Sequence, residues 1–145
     1  MSIEAQQPGP QALVMRLGED NSGYGWVIFA GVMLTLGGTA NVIDGIAAVG
    51  GSNFFARSAN YIIGDLTSLG WAVLIIGAVQ LLAGFGVLAR NQAARWVGVA
   101  AAALNAVAQL LFVEAYPLWS LSLFVLDILV MYGLLVYGGR TYRPA

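Results

Sequence analysis

Four apolar runs dictate what this chain can become: GWVIFAGVMLTLGGTANVIDGIAAV at 25–49, LTSLGWAVLIIGAVQLLAGFGVLA at 66–89, ARWVGVAAAALNAVAQLLFVE at 94–114 and PLWSLSLFVLDILVMYGLLVYG at 117–138. Each has roughly 20 residues or more, and at about 1.5 Å per residue a helix of that length crosses a hydrocarbon core of about 30 Å. The rest of the composition agrees, with 59% of residues hydrophobic, 9% charged and a mean hydropathy of +0.80. The expected fold is all-α: a polytopic membrane protein whose transmembrane domain, residues 25–138, is a bundle of four helices. The bilayer is then its first partner.

The segments between the runs set connectivity. RNQA near 90–93 and the AYP turn at 115–117 are too short to let the chain cross over, so consecutive helices must be antiparallel neighbours. Pro117 suits the first turn of the fourth helix, where its missing N–H costs no helical bond. Residues 1–22, with Pro8, Pro10 and many polar side chains, read as a flexible tail, and residues 139–145 as a short second one. The first apolar run is too long for a signal-peptide core and lacks a positive segment leading directly into it, so it is expected to be retained.

Orientation follows from the arginines. Arg16, Arg90, Arg95, Arg140 and Arg143 fall on one side of the four-span arrangement and Arg57 alone on the other, which predicts a multi-pass plasma-membrane protein with both termini cytoplasmic. Trp26, Trp71, Trp96, Trp119, Tyr116 and Tyr137 lie near the predicted helix ends, where aromatic belt residues belong. The 50–65 loop, with Phe54, Phe55 and Tyr61, is the one substantial exoplasmic segment and is apolar enough to rest on the interface.

Membrane helices pack through small residues and interhelical hydrogen bonds, because lipid tails are as apolar as leucine. Helix one places Gly37, Ala40, Asn41, Asp44 and Ala48 on one face. Helix two repeats Gly70, Gly77 and Gly84 every seven residues, with Gln80 close by. Helix three stacks Gly98, Ala101, Ala102, Asn105, Ala108 and Gln109. Gly37, Gly77, Gly84 and Gly98 are therefore the expected packing glycines. GVMLTLGG at 31–38 faintly echoes GAVQLLAG at 77–84, a match that apolar low complexity produces readily.

Within these faces, Asn41, Asp44, Asn105, Gln109 and Asp127 form a candidate intramembrane polar cluster. Counting from the helix ends puts Asn105 and Asp127 near the midplane and Asn41, Asp44 and Gln109 in the outer half, with Glu114 at the outer boundary. An unpaired central Asp costs about 2.5–3.5 kcal/mol on insertion scales. Asp127 is accordingly expected to be protonated at neutral pH and to donate a hydrogen bond, to the Asn105 side chain or to a backbone carbonyl. Such an acid has two readings, an interhelical pin or a titrating group in a proton or substrate pathway.

Catalytic chemistry has little to work with. The chain has no cysteine and no histidine, which removes thiolate nucleophiles, Cys-based metal sites, the commonest metal ligand and the usual near-neutral proton shuttle. Hard-cation sites want several oxygen ligands, and no DxxD or ExxH spacing occurs; no cofactor or metal is expected. An aspartyl dyad needs both acids at one depth, whereas Asp44 and Asp127 are predicted a turn or two apart. GAVQLLAGFG sits inside a span and lacks the strand–turn–helix setting of a nucleotide loop. A net charge of −1 with scattered arginines gives no case for nucleic acid.

GW at 25–26, NVIDG at 41–45, GW at 70–71, LNAVAQL at 104–110 and AYPLWSLSLFVLD at 115–127 together resemble a family of small bacterial integral membrane proteins classed only as a domain of unknown function. The resemblance covers roughly 25–138 and implies a four-helix membrane domain without an assigned reaction, ligand or catalytic residue. The function expected is a noncatalytic accessory or scaffold bundle that self-associates or joins another membrane protein. The alternative is a small proton-coupled transporter using Asp44 or Asp127. A wet pocket around the polar cluster that reaches the exoplasmic side would favour transport, and mutual pairing in a dry seam would favour the scaffold.

Overall fold

A computed structural model describes residues 7–50, 66–114 and 116–139. Arg57, Phe54, Phe55, Tyr61, Arg140 and Arg143, on which parts of the orientation and interface argument rest, lie outside the described residues. The described chain is all helix: α1 (Pro10–Val49), α2 (Leu66–Leu88), α3 (Gln92–Phe112) and α4 (Pro117–Tyr132), the last continued by a π-helical turn, Gly133–Tyr137. All four helices are long and apolar enough to cross a membrane. Their outer surfaces are large exposed hydrophobics, among them Leu82, Leu111 and Leu118, which suit lipid far better than water.

The first helix is much longer than the run that announced it. α1 starts at Pro10, which fills the first helical turn, so helix replaces the expected flexible tail from that residue onward. Its 40 residues extend about 60 Å, twice a hydrocarbon core. Gly23, which abuts the Tyr137 ring, is the first α1 glycine to meet another helix, whereas Gly9 and Gly18 face open space. α2 and α3 end within two residues of the runs at 66–89 and 94–114, whereas α4 stops at Tyr132 and only its π-helical continuation to Tyr137 fills the run at 117–138.

Turn chemistry sets the short connections. α2 ends with the Arg90 N–H on the Val87 carbonyl (3.0 Å) and the Asn91 N–H on the Gly86 carbonyl (2.8 Å), with Arg90 left-handed at φ 60°. This is a Schellman ending with arginine where glycine is usual. Asn91 then caps α3, its side-chain oxygen accepting from the Ala93 and Ala94 N–H groups at 2.9 and 3.4 Å. Pro117 opens α4 as its position predicts.

Two glycine series bring α1 and α2 into backbone contact. Gly31, Gly38 and Gly45 on α1 recur every seven residues and run antiparallel to Gly84, Gly77 and Gly70 on α2. A Cβ at Gly38 would lie 2.5 Å from the Leu81 nitrogen and 2.9 Å from the Gly77 oxygen; one at Gly77 would lie 2.7 Å from the Val42 nitrogen. The echo between 31–38 and 77–84 thus has a packing meaning: these two segments face each other. The face of α1 turned to α2 carries Gly38 and Gly45, one residue on from the stripe through Gly37 that the sequence suggested.

The apolar core sits toward the end of the bundle that carries Arg90 and Arg95. Val27, Ala30, Leu34, Val87, Ala102, Val130 and Leu134 form it, with contributions from all four helices. Leu34 and Leu134 fill the space left by Gly98, to which a Cβ would come within 2.7 and 3.2 Å. Trp26 stacks on Tyr137 (centroids 6.1 Å, planes 6° apart) and meets Tyr132 edge-on at 5.5 Å, binding α1 to the end of α4. Trp26 and Tyr137 therefore pack between helices, while Trp71, Trp96, Trp119 and Tyr116 are exposed as belt residues should be.

Candidate functional site

The interior polar centre is a triangle of amides on three helices. Asn41 of α1 donates through Nδ2 to Gln80 Oε1 (2.8 Å) and to Asn105 Oδ1 (3.3 Å); Asn105 of α3 donates through Nδ2 to the same Gln80 Oε1 (3.1 Å). Gln80, on α2, is only 2% exposed. Small residues make the meeting possible. A Cβ at Gly37 would sit 2.8 Å from Gln80 Nε2, and one at Gly77 would sit 2.8 Å from the Asn41 Cβ. Ala101, Ala102 and Ala106 keep the facing surface of α3 low. Each amide stabilises its neighbours by filling hydrogen-bonding capacity that lipid cannot fill.

The candidate cluster read from the sequence divides. Asn41 and Asn105 join the triangle. Asp44 is exposed on α1, and Gln109 and Asp127 are half-buried, and among the described residues none of the three makes a hydrogen bond or ion pair. The hydrogen bond expected between Asp127 and Asn105 is therefore absent, because the Asn105 amide turns toward α2 and α1 instead. Asp127 nevertheless shares its face of α4 with buried Ser120, Val130 and Leu134, and so points into the bundle. Asp44 projects from the side of α1 turned toward α4, but α1 meets α4 mainly through that helix's last turns, so the acid is left uncovered. Among the described residues no three acidic, His or Cys side chains gather in the manner of a metal centre.

Of the four packing glycines, Gly77 and Gly84 lie in the α1–α2 seam, Gly84 against Thr35. Gly98 receives Leu34 and Leu134, and Gly37 makes room for Gln80. Gln80 is thus the hub of a site whose other members carried the stronger sequence signal. Its position on the Gly70/Gly77/Gly84 helix was the clue, since Gln80 lies one turn from Gly77 and Gly84 alike.

Arg95 has a role that charge counting does not reveal. Its side chain is 9% exposed and folds onto the end of α4, with Nε donating to the Leu134 carbonyl at 2.7 Å and Nη2 to the Leu135 carbonyl at 3.4 Å. Gly138 lies against the Arg95 side chain, and Trp96 lies 5.1 Å from the guanidinium carbon. A cation on the last carbonyls of a helix is favoured by the helix dipole, and the guanidinium fork serves two carbonyls at once. Arg95→Lys keeps the charge but loses the fork. It is expected to cost about 1 kcal/mol and to speed amide exchange at Gly138 while leaving Gln80 unaffected.

A shallow apolar groove lined by Gly25, Trp26, Phe29 and Leu129 opens outward between α1 and α4 and carries no ionisable side chain. The interior arrangement holds amides against amides and carbonyls against a guanidinium, in hydrogen bonds that link α1, α2 and α3 and join α3 to the end of α4.

No curated protein and no solved structure matches this chain. Residues 26–139, from the stacked Trp26 to the glycine beside Arg95, match the family described as Domain of unknown function (DUF7144). That match covers α1 from Trp26 onward, the whole of α2, α3 and α4 and the entire amide triangle, and the chain belongs to this family.

Proposed function

We propose that this domain is a noncatalytic scaffold or accessory module of the plasma membrane, with both termini cytoplasmic and self-association through the outer part of α1. The observation that carries the reading is the amide triangle: Asn41, Gln80 and Asn105 are engaged with one another in a seam whose backbones touch. Polar groups so arranged fix helix register. The exposed Thr39, Ala40 and Asp44 on α1 supply a small, polar face of the kind that membrane helices cover with another helix. Arg16, Arg90 and Arg95 belong to one end of the bundle, in keeping with the cytoplasmic assignment of that end.

The absence of native cysteine makes a single-cysteine test clean. Ala40→Cys is expected to crosslink between copies in native membranes and Leu82→Cys, on the lipid-facing side of α2, is not. Gln92→Cys should label only from the cytoplasmic side and Arg57→Cys only from outside. Absence of Ala40→Cys crosslinks would overturn self-association through α1; labelling of both loop cysteines from one side would overturn the orientation.

A second reading has one observation in its favour. Asp127 faces inward without a hydrogen-bond partner among the described residues, as a titrating carboxyl in a proton-coupled carrier would. It predicts transmembrane proton flux that Asp127→Asn abolishes.

A further inference from the structure

The triangle leaves polar capacity unspent. Its three bonds use both N–H groups of Asn41 but only one of Asn105, and Gln80 Nε2 and Asn41 Oδ1 have no partner among the described residues. Gln80 is 2% exposed, so its unpaired amide nitrogen lies deep in the bundle, beside Gly37. Gly37 belongs to the stripe Trp26, Ala30, Met33, Gly37, Ala40 and Asp44, the side of α1 turned toward α4. Burial along that stripe falls from complete at Ala30 to partial at Gly37 and to exposure at Ala40 and Asp44.

The register of α3 and α4 places Asp127 at the same site. Gly98 lies across from Leu134, whose Cδ1 would be 3.2 Å from a Cβ there. The helices are antiparallel and, apart from Gly133 and Leu134 at the start of the π turn, both are α-helical, so seven residues onward in α3 and seven back from Leu134 bring Asn105 to about the level of Asp127, on the same two faces. Where Leu134 fills the hollow over Gly98, the next pair along holds a carboxyl and an amide with a spare N–H, level with each other and not bonded. Buried polar groups without protein partners are characteristically met by ordered water, which makes about three hydrogen bonds in such a site.

We propose that ordered water occupies the space between the amide triangle and Asp127, accepting from Asn105 Nδ2 or Gln80 Nε2 and hydrogen-bonding the Asp127 carboxyl. The bundle then holds a hydrated site near the middle of the membrane, and Asp127 joins the amide network through water. This inference is independent of the scaffold reading, since such water serves equally as mortar in a static bundle or as the inner station of a proton path.

The test is water-edited solid-state NMR of the full chain in lipid bilayers, free of added alkali cations, with Ala102 and Val130 as dry references. Water magnetisation is expected to reach the Asn105 and Asp127 side chains several-fold faster than it reaches those references. Asp127→Leu should slow the transfer to Asn105 to the reference level while the Asn41–Gln80 contact persists; Asp127→Asn, which still bonds water, should preserve it. Reference-level transfer in the wild type would overturn the proposal, as would transfer to Asn105 that survives Asp127→Leu. Transfer that appears only when sodium or potassium is added would overturn it in favour of a cation site.

Discussion

Gly38→Val is expected to destroy the native pairing of α1 with α2. Even a single Cβ at Gly38 would come 2.5 Å from the Leu81 nitrogen and 2.8 Å from its Cα, and backbone atoms cannot swing aside as a flexible side-chain end can. The helices must separate, and the surrounding close contacts at Gly31, Gly45, Gly77 and Gly84 go with them. Overpacking costs about 1–3 kcal/mol where side chains can adjust, and a backbone clash belongs at or above the top of that range. Van der Waals packing is the main force between helices in lipid, so no hydrophobic gain offsets the loss. Steric-trapping measurements in bilayers should show a loss of about 3 kcal/mol or more. Gly25→Val is the control: a Cβ at Gly25 meets nothing within 4 Å, and its stability should change little.

Gln80→Leu comes second. The substitution removes the acceptor of two interhelical hydrogen bonds and leaves the N–H groups of Asn41 and Asn105 without it in a region that offers no bulk water. Interhelical hydrogen bonds average about 0.6 kcal/mol and reach about 1.7 in membrane double-mutant cycles, and stranding the buried donors adds to that. The expected total is about 2 kcal/mol, read by the same steric-trapping assay. Gln109→Leu, on a residue with no hydrogen bond among the described ones, should cost much less. Equal losses at the two positions would mean that the triangle contributes nothing particular.

Much of this architecture is legible in the residues, and what is hidden has separate physical causes. Length and apolarity reveal depth along a helix, so the four spans, the antiparallel order and the α2 glycine repeat could all be read directly. Azimuth is harder. Reading the α1 seam through Gly37 rather than Gly38 is a shift of one residue, which turns a helix face by about 100°, and it exchanges the residue that makes room for Gln80 for the one that touches the α2 backbone. The same limit explains Asp44 and Asp127. Their depths suggested convergence on the amides, but α4 meets α1 mainly at its last turns, so Asp44 stays uncovered and Asp127 stands across from Asn105 without bonding to it.

Side-chain direction conceals the rest. In sequence Arg95 is one more charge at a helix end, yet it bends onto the Leu134 and Leu135 carbonyls, a contact between positions about 40 residues apart that local pattern does not encode. Gln80 is no more conspicuous in sequence than Gln109 and reads as a companion of the α2 glycine repeat, although the amide, able to accept two hydrogen bonds at one oxygen, is the group on which three helices converge. The helix from Pro10 to Tyr24 is masked in sequence because Pro8, Pro10 and the polar stretch around Glu19 and Asp20 resemble a tail, although Ala12, Leu13, Met15 and Leu17 are good helix formers.

The central claim is that the polar groups inside this bundle tie helices together rather than conduct. Proton flux into proteoliposomes under an imposed pH gradient, with wild type set beside Asp127→Asn, tests it most directly. Both are expected to admit protons no faster than protein-free vesicles of the same lipid. Flux through the wild type that the Asp127→Asn substitution abolishes would contradict the scaffold reading and make Asp127 the working group of a carrier.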